Sequence, residues 1–256
     1  MANEFLLCGV FLLALIVSMA IGRYIGAHVR SRGDDSNASY SLTILGGSLG
    51  LLGLILGFTF SMAGARYEGA KAQMVQEANA VGTAFLRSRT LPAEDQAIAR
   101  PLFESYADAL IRNYSGYLDL KDFAKSVTEL SEIQTRIWAH GVDVSRRKPD
   151  MVPTGIYLQA LNEMIDQGGL RLNFIQYRVP EIIFILVSVT ALLSLWLAGY
   201  VSGLSGVSKP WGTTVFALII AIVIGVIVDL DRPRRGLIQV EDTRLVELKS
   251  MITSLK

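Results

Sequence analysis

One stretch of the chain decides its fold, and it reads Leu42-Thr-Ile-Leu-Gly-Gly-Ser-Leu-Gly-Leu-Leu-Gly-Leu-Ile-Leu-Gly-Phe-Thr-Phe-Ser-Met-Ala-Gly-Ala65. The stretch carries no charge, and as a helix it is about 36 Å long, which is enough to cross a bilayer. Spacings of three, four or seven residues place five of its glycines on one helical face, where another helix can approach closely inside lipid. This glycine face comprises Gly46, Gly50, Gly53, Gly57 and Gly64. We therefore predict a membrane-spanning helix that packs through its glycine face.

Three further apolar runs are similar in character, at residues 5–22, 181–203 and 213–228. Runs of this length and composition indicate transmembrane helices, so four spans are predicted. The first run also has features of a cleaved signal peptide, because Ser18-Met19-Ala20 resembles a cleavage site. Residues 1–4 carry no Lys or Arg, however, and the run is longer than the usual core of a signal peptide. We therefore interpret it as a span that is retained.

The only large polar region lies between the second and third spans, at residues 66–178, and it holds fourteen Lys or Arg and fourteen Asp or Glu. No run in it alternates apolar and polar residues as a strand would. Its apolar residues instead recur at helical spacing, for example at Phe123, Val127, Leu130, Ile133 and Ile137. The region is predicted to be a bundle of about four helices, which makes the chain an all-α integral membrane protein.

Prolines and glycines indicate where the helices of this bundle end. Pro92 is expected to end the helix that leaves the membrane, because proline disfavours helical geometry in the preceding residue. Gly141 is expected to close a later helix, and residues 146–153 are expected to form a loop. Pro101 would kink its helix unless the helix starts there.

Four segments follow from this pattern: residues 1–65 with two spans, 66–179 with the bundle, 180–230 with two more spans, and 231–256 as a basic tail. More Lys and Arg lie near the span ends on the side of the bundle than on the opposite side, although residues 23–32 are basic as well. By the positive-inside rule, the bundle and both termini are predicted to be cytoplasmic.

Residues that usually carry chemistry are scarce. Cys8 is the only cysteine, and the two histidines, His28 and His140, lie far apart without metal-ligand spacing. A net charge of +1 gives no reason to expect nucleic acid as a partner. No nucleophile elbow, phosphate-binding loop or zinc-protease helix occurs. The protein is therefore predicted not to be an enzyme, and no cofactor or metal is expected.

The glycine face admits three interpretations. In the first, it packs against other helices and has no further role. In the second, its glycines contact neighbouring helices while the opposite face of the helix lines a conduit. In the third, the glycine face itself lines the conduit. In the last case Phe60 falls in line with the glycines and narrows the passage, and an apolar ring of this kind can gate by dewetting. The opposite face comprises Ser48, Leu52, Ile55, Thr59 and Met62.

A polar segment, residues 76–87, follows the second span. Its polar side chains include Glu77, Asn79 and Thr83. These residues either make buried hydrogen bonds within a packed helix pair or form a polar ring below the membrane that filters ions.

A charged segment follows the fourth span, and it includes Asp229, Asp231, Arg232, Arg234 and Arg235. Its basic residues are suited to anionic lipid head groups. Asp229 lies at the edge of the hydrocarbon, where an unpaired carboxylate is costly, so we expect it to have a partner. The candidate partners are Arg232, Arg235 and Arg66. Two carboxylates with backbone oxygens give only weak grounds for a calcium site.

Three strings resemble the bacterial bestrophin-like membrane proteins of unknown function, namely Leu54-Ile-Leu-Gly-Phe-Thr-Phe-Ser-Met-Ala63, Glu77-Ala-Asn-Ala-Val-Gly-Thr-Ala-Phe-Leu-Arg87 and Asp229-Leu-Asp-Arg-Pro-Arg-Arg-Gly236. The resemblance extends from the first span to about residue 240. It implies a multi-pass protein of the bacterial inner membrane, with four spans and a helical insertion after the second.

Bestrophins proper are pentameric anion channels whose second span lines an apolar neck. A similar arrangement implies a homo-oligomer, with a pentamer as one option, and it places Leu56 or Phe60 near the neck. No bestrophin calcium clasp or neck residue can be matched position by position. The leading hypothesis is an oligomer in the lipid bilayer that passes inorganic ions, with anions first among them. The competing hypothesis is a membrane-anchored interaction or sensing module that does not conduct.

Overall fold

The computed structural model describes residues 2–32, 38–114, 120–149, 152–176, 179–206, 211–231, 238 and 241–255. These residues form helices and short connections without any strand, which confirms the all-α prediction. The helices of this part of the chain are α1 (Ala2–Ser31), α2 (Ala38–Ser88), α3 (Ala93–Tyr114), α4 (Leu120–Arg147), α5 (Val152–Gln176), α6 (Glu181–Leu204), α7 (Trp211–Leu230) and α8 (Thr243–Ser254).

The chain divides into two compact units. An apolar unit comprises Met1–Ala65 and Val179–Asp231, and a polar unit comprises Arg66–Arg178 and Arg232–Lys256. Helix α2 is continuous and contributes residues to both. Among the described residues, four segments are long and apolar enough to cross a membrane, namely Cys8–Ser31, Ser39–Ser88, Glu181–Leu204 and Trp211–Leu230.

In the apolar unit, α1 and α6 pack backbone against backbone. A Cβ atom at Gly22 or Gly26 of α1 would overlap the backbone of α6, and a Cβ atom at Gly199 or Gly203 of α6 would overlap the backbone of α1. Only a residue without a side chain permits this approach. A buried apolar core adjoins the pair and includes Leu15, Leu52, Ala191, Leu195 and Ala217.

The polar unit closes around an apolar core to which the second part of α2 and helices α3, α4, α5 and α8 all contribute. Phe85 of α2 meets Phe103 of α3 edge to face, with the ring centroids 5.8 Å apart, a favourable geometry for aromatic rings. Leu130, Ile133 and Ile137 of α4 are buried, as their helical spacing predicts.

Helix α8 was not predicted from the sequence, which indicated only a basic tail at residues 231–256. It buries Leu245, Leu248 and Ile252 against the core and packs beside α3. The Lys249 ammonium lies 2.6 Å from an Asp108 carboxylate oxygen on α3. The i, i+3, i+7 spacing of its three buried residues was the available signal.

Glycines and prolines end the helices only in part as predicted. Pro92 lies between α2 and α3, but Pro101 lies inside α3. The prediction that Gly141 ends a helix was wrong, because α4 continues to Arg147. A Cβ atom at Gly141 would lie 2.8 Å from Leu161 Cδ1 of α5, so this glycine serves the close approach of two helices.

Candidate functional site

The glycine face of α2 is left uncovered by the described part of the apolar unit. A Cβ atom at each of its five glycines would meet no other atom within 4 Å, the helix's own neighbouring backbone aside. From Gly46 to Gly64 the helix rises about 27 Å. The strip is therefore long enough to face lipid or another chain across most of a bilayer.

The face opposite the glycines is covered in part by the chain itself. Leu52 and Thr59 are 1% and 2% exposed. The Ser194 hydroxyl of α6 donates a long hydrogen bond of 3.4 Å to the Ser48 carbonyl oxygen. Leu52 and Thr59 therefore lie inside the unit, whereas Met62 of the same face is 42% exposed.

The two candidate neck residues differ in their surroundings. Leu56 is half-buried and packs against the apolar core, whereas Phe60 is 47% exposed. By the helical period Phe60 lies beside the glycine face. Of the two, Phe60 is the side chain that α2 presents next to the uncovered glycines.

The structure separates Glu77 from Asn79 and Thr83. Asn79 and Thr83 are exposed and lie along an open groove of about 580 Å³ between α2 and α5, whereas Glu77 is fully buried. The polar side chains that line this groove are Gln76, Asn79, Thr83, Arg87, Gln159, Glu163 and Gln167. The groove carries one cationic and one anionic side chain among hydroxyl and amide groups.

Glu77 is bound from two other helices. The Arg171 guanidinium of α5 donates to Glu77 Oε1 at 2.7 Å, and the Tyr114 hydroxyl of α3 donates to Glu77 Oε2 at 3.0 Å. Arg171 is 5% exposed, so both charges of the pair are withdrawn from water. The interpretation of Glu77 as a buried hydrogen-bonding residue therefore fits the structure better than that of a filter residue.

A second buried polar cluster was not predicted from the sequence. Asp95 of α3 is fully buried and accepts a short hydrogen bond from Arg147 of α4. His140 Nε2 lies 3.7 Å from the same Asp95 oxygen, and the His140 and Tyr157 rings are 6.4 Å apart. Burial lowers the pKa of His140, although the Asp95 carboxylate opposes the shift. This cluster could not be recognised in the sequence, because its residues lie far apart in the chain, on three different helices.

The membrane-edge charges are described only in part. Asp231 is 5% exposed, and its Oδ1 accepts a hydrogen bond of 3.1 Å from the Val179 backbone N–H. Arg232, Arg234 and Arg235 lie outside the described residues. Within the described ranges, no group of three or more His, Cys, Asp or Glu is arranged to hold a metal ion.

Comparisons with known proteins identify what this chain is similar to. A family model described as the Bestrophin-like domain matches residues 8–245. A single-substitution variant of a bacterial bestrophin homologue from Klebsiella pneumoniae superposes with a TM-score of 0.71 at 13% identity, covering 95% of this chain and 98% of that one. The same homologue, phased with zinc, gives 0.66 at 14% identity over 94% and 97% of the two chains. No curated protein sequence matches the chain. At such low identities, the likeness to solved structures establishes the fold alone.

Proposed function

Because the chain belongs to the bestrophin-like family, we propose that it is a channel in which several copies surround an axis and pass small inorganic ions, anions first among them. The observation that carries the proposal is the uncovered glycine face of α2, with Phe60 beside it. A strip without side chains favours close helix contact inside lipid, where small residues let backbones approach. A second copy of this chain would supply such a helix.

In the proposed arrangement four helices cross the bilayer, and the polar unit is inserted between the second and third. The hydrocarbon core takes about 20 helical residues, whereas α2 has 51 residues. Its first charged residue is Arg66, so α2 would leave the hydrocarbon there. The charge pattern favours a cytoplasmic polar unit in the bacterial inner membrane.

The proposed conduit follows the glycine side of α2. Phe60 side chains from several copies would form the apolar constriction, with Leu56 at its margin, and the constriction would gate by dewetting. Asn79 and Thr83 lie further along the same helix and are exposed, so they would give the cytoplasmic part of the conduit a polar wall. A pentamer is the arrangement that the family resemblance favours.

The charged segment after α7 is proposed to anchor the end of that helix at the membrane surface. The bond between Asp231 and the Val179 backbone ties the end of α7 to the start of α6. The neighbouring arginines at 232, 234 and 235 would then bind anionic lipid head groups, an attraction of about 1 kcal/mol for each basic residue near the surface.

Purified protein in liposomes tests the proposal directly. We expect native mass spectrometry to give a multiple of the 28.0 kDa chain, and we expect chloride flux above that of protein-free liposomes. A monomer would exclude a conduit between copies. An intact oligomer that passes neither chloride nor cations, at several pH values and calcium concentrations, would overturn conduction and support the membrane-anchored interaction module instead.

A further inference from the structure

In the polar unit, polar atoms from three different helices lie close to Gly168, which is on a fourth helix. At Gly168 of α5, a Cβ atom would lie 3.6 Å from Gln134 Nε2 of α4 and 3.7 Å from the Tyr106 hydroxyl of α3. It would lie 3.8 Å from Glu77 Oε1 of α2. Four helices of the polar unit therefore meet at this residue.

Two of these atoms, and one beside them, make no hydrogen bond of normal length and angle in the described structure, although the Tyr106 hydroxyl lies near enough to the Glu77 carboxylate and the Arg171 guanidinium to interact with both. They are Tyr106 Oη, Gln134 Nε2 and Arg171 Nε, and each is shielded from solvent. Tyr106 is fully buried and Arg171 is 5% exposed. The great majority of buried polar atoms in folded proteins have a partner, either in the protein or in an ordered water. Buried donors without a hydrogen bond of normal geometry therefore point to a bound molecule.

The chemistry around Gly168 defines that molecule. Glu77 carries a negative charge and Arg171 a positive one, and their 2.7 Å contact compensates both. A further cation would be repelled by Arg171, and a further anion by Glu77. The occupant must also accept a hydrogen bond from one of these donors and donate one to a carboxylate oxygen. A neutral molecule of water size, able both to donate and to accept, meets these conditions.

We propose that Gly168 keeps open a site for one ordered water that bridges Glu77, Tyr106 and Gln134. The water donates to Glu77 Oε1 and accepts from the Tyr106 hydroxyl or the Gln134 amide. Buried waters of this kind typically make about three hydrogen bonds. The bridge joins α2 to α3 and α4 at the point where the ion pair already joins α2 to α5. This site does not depend on conduction or on assembly.

The neighbouring Gly169 provides a matched control. Both glycines lie inside α5, but Gly169 is exposed and a Cβ atom there would meet nothing within 4 Å. Alanine is the better helix former, so Gly169→Ala should raise the melting temperature of the full-length protein in detergent by about 2–4 °C. A methyl group at Gly168 would occupy the space beside the three polar atoms and displace the water. We therefore expect Gly168→Ala to give no gain or a loss.

A second variant separates the effect of losing the water from the effect of alanine on helix stability. Tyr106→Phe removes one of its partners, so its cost should shrink when Gly168→Ala has already displaced the same molecule. With Gly169→Ala, by contrast, the effect of Tyr106→Phe should be unchanged. A high-resolution structure should show a water within hydrogen-bond distance of the Tyr106 hydroxyl and Glu77 Oε1.

Three results would overturn the proposal. The first is that Gly168→Ala stabilises the protein as much as Gly169→Ala. The second is that the effects of Tyr106→Phe and Gly168→Ala simply add. The third is a high-resolution structure in which the Tyr106 hydroxyl donates directly to Glu77 with no water beside Gly168, and this measurement stands even if a variant fails to fold.

Discussion

Gly199 of α6 lies so close to Met19 of α1 that a Cβ atom at Gly199 would overlap the Met19 carbonyl oxygen. The contact is reciprocal along the pair, since a Cβ atom at Gly22 would overlap the Trp196 carbonyl oxygen. Glycine therefore has two separate roles in the apolar unit. On α1 and α6 it joins helices of one chain, and on α2 it leaves a surface that the described residues do not cover.

Gly199→Ala is expected to destabilise the protein by about 1–3 kcal/mol, because the added methyl group forces α1 and α6 apart. Thermal unfolding in detergent, followed by circular dichroism, measures the loss. The control is Gly50→Ala on the glycine face, where a Cβ atom meets nothing within 4 Å. Equal melting temperatures for the two variants would show that the α1–α6 contact is looser than the structure has it.

Gly57→Leu is expected to reduce the oligomeric mass, because a large side chain on the glycine face blocks close contact between copies. Native mass spectrometry of the purified protein gives the readout. Gly9→Leu is the matched control, since Gly9 on α1 is equally exposed and uncovered. If Gly57→Leu keeps the full mass, the glycine face is not the contact between copies.

Phe60→Ala is expected to raise ion flux in liposomes several-fold, because it widens and wets the proposed apolar constriction. Phe58→Ala removes the same volume from a side chain that is 65% exposed on another side of α2, so its flux should match that of the unmodified protein. Identical fluxes for both variants would place the constriction elsewhere.

The contribution of His140 to the free energy of unfolding is expected to fall as the pH drops below about 6.5. Burial lowers the pKa of His140 in the folded protein. At a pH between the two pKa values, the imidazole is therefore protonated in the unfolded chain and neutral in the folded one. The stability that neutral His140 contributes is therefore fully present above the pKa of the unfolded chain. It is lost as the pH falls toward the pKa that His140 has in the folded protein.

His140→Gln should flatten this pH dependence between about pH 5 and 7, as measured by melting temperature. The chain has one other histidine, His28, which is exposed on α1. His28→Gln should leave the dependence intact. If it is the His28 variant that flattens the curve, the assignment to His140 is incorrect.

Arg171→Met is expected to cost about 3–5 kcal/mol, because it leaves the Glu77 carboxylate buried without its positive partner. The comparison is Arg112→Met, which removes an ion pair with Glu129 whose side chains are 54% and 47% exposed. That exposed pair should contribute no more than about 1 kcal/mol. Chemical unfolding of both variants checks the difference, and similar costs would indicate that water reaches Glu77.

The helical class and the apolar runs follow from local patterns, so the sequence sufficed to predict them. Composition alone marks residues 42–65 as apolar, and the spacing of Leu130, Ile133 and Ile137 marks one face of α4. These signals lie within single helices. They do not depend on which helix packs against which.

Contacts between residues that are far apart in the sequence could not be predicted from such local patterns. Glu77 and Arg171 are 94 residues apart, and Asp95 and Arg147 are 52 apart, so no local period relates them. The same holds for glycine. The sequence shows that α2 can pack closely, but only the structure shows that α1 and α6 do so while the α2 glycines stay uncovered.

Helix α8 has a consequence for the order in which the protein can be made. Its buried Leu245, Leu248 and Ile252 complete a core whose other members come from residues 74–164. Helices α6 and α7 lie between the two in the chain. During synthesis, the core of the polar unit therefore stays open on one side while both of these apolar helices emerge from the ribosome, and it closes only after α8 has followed them.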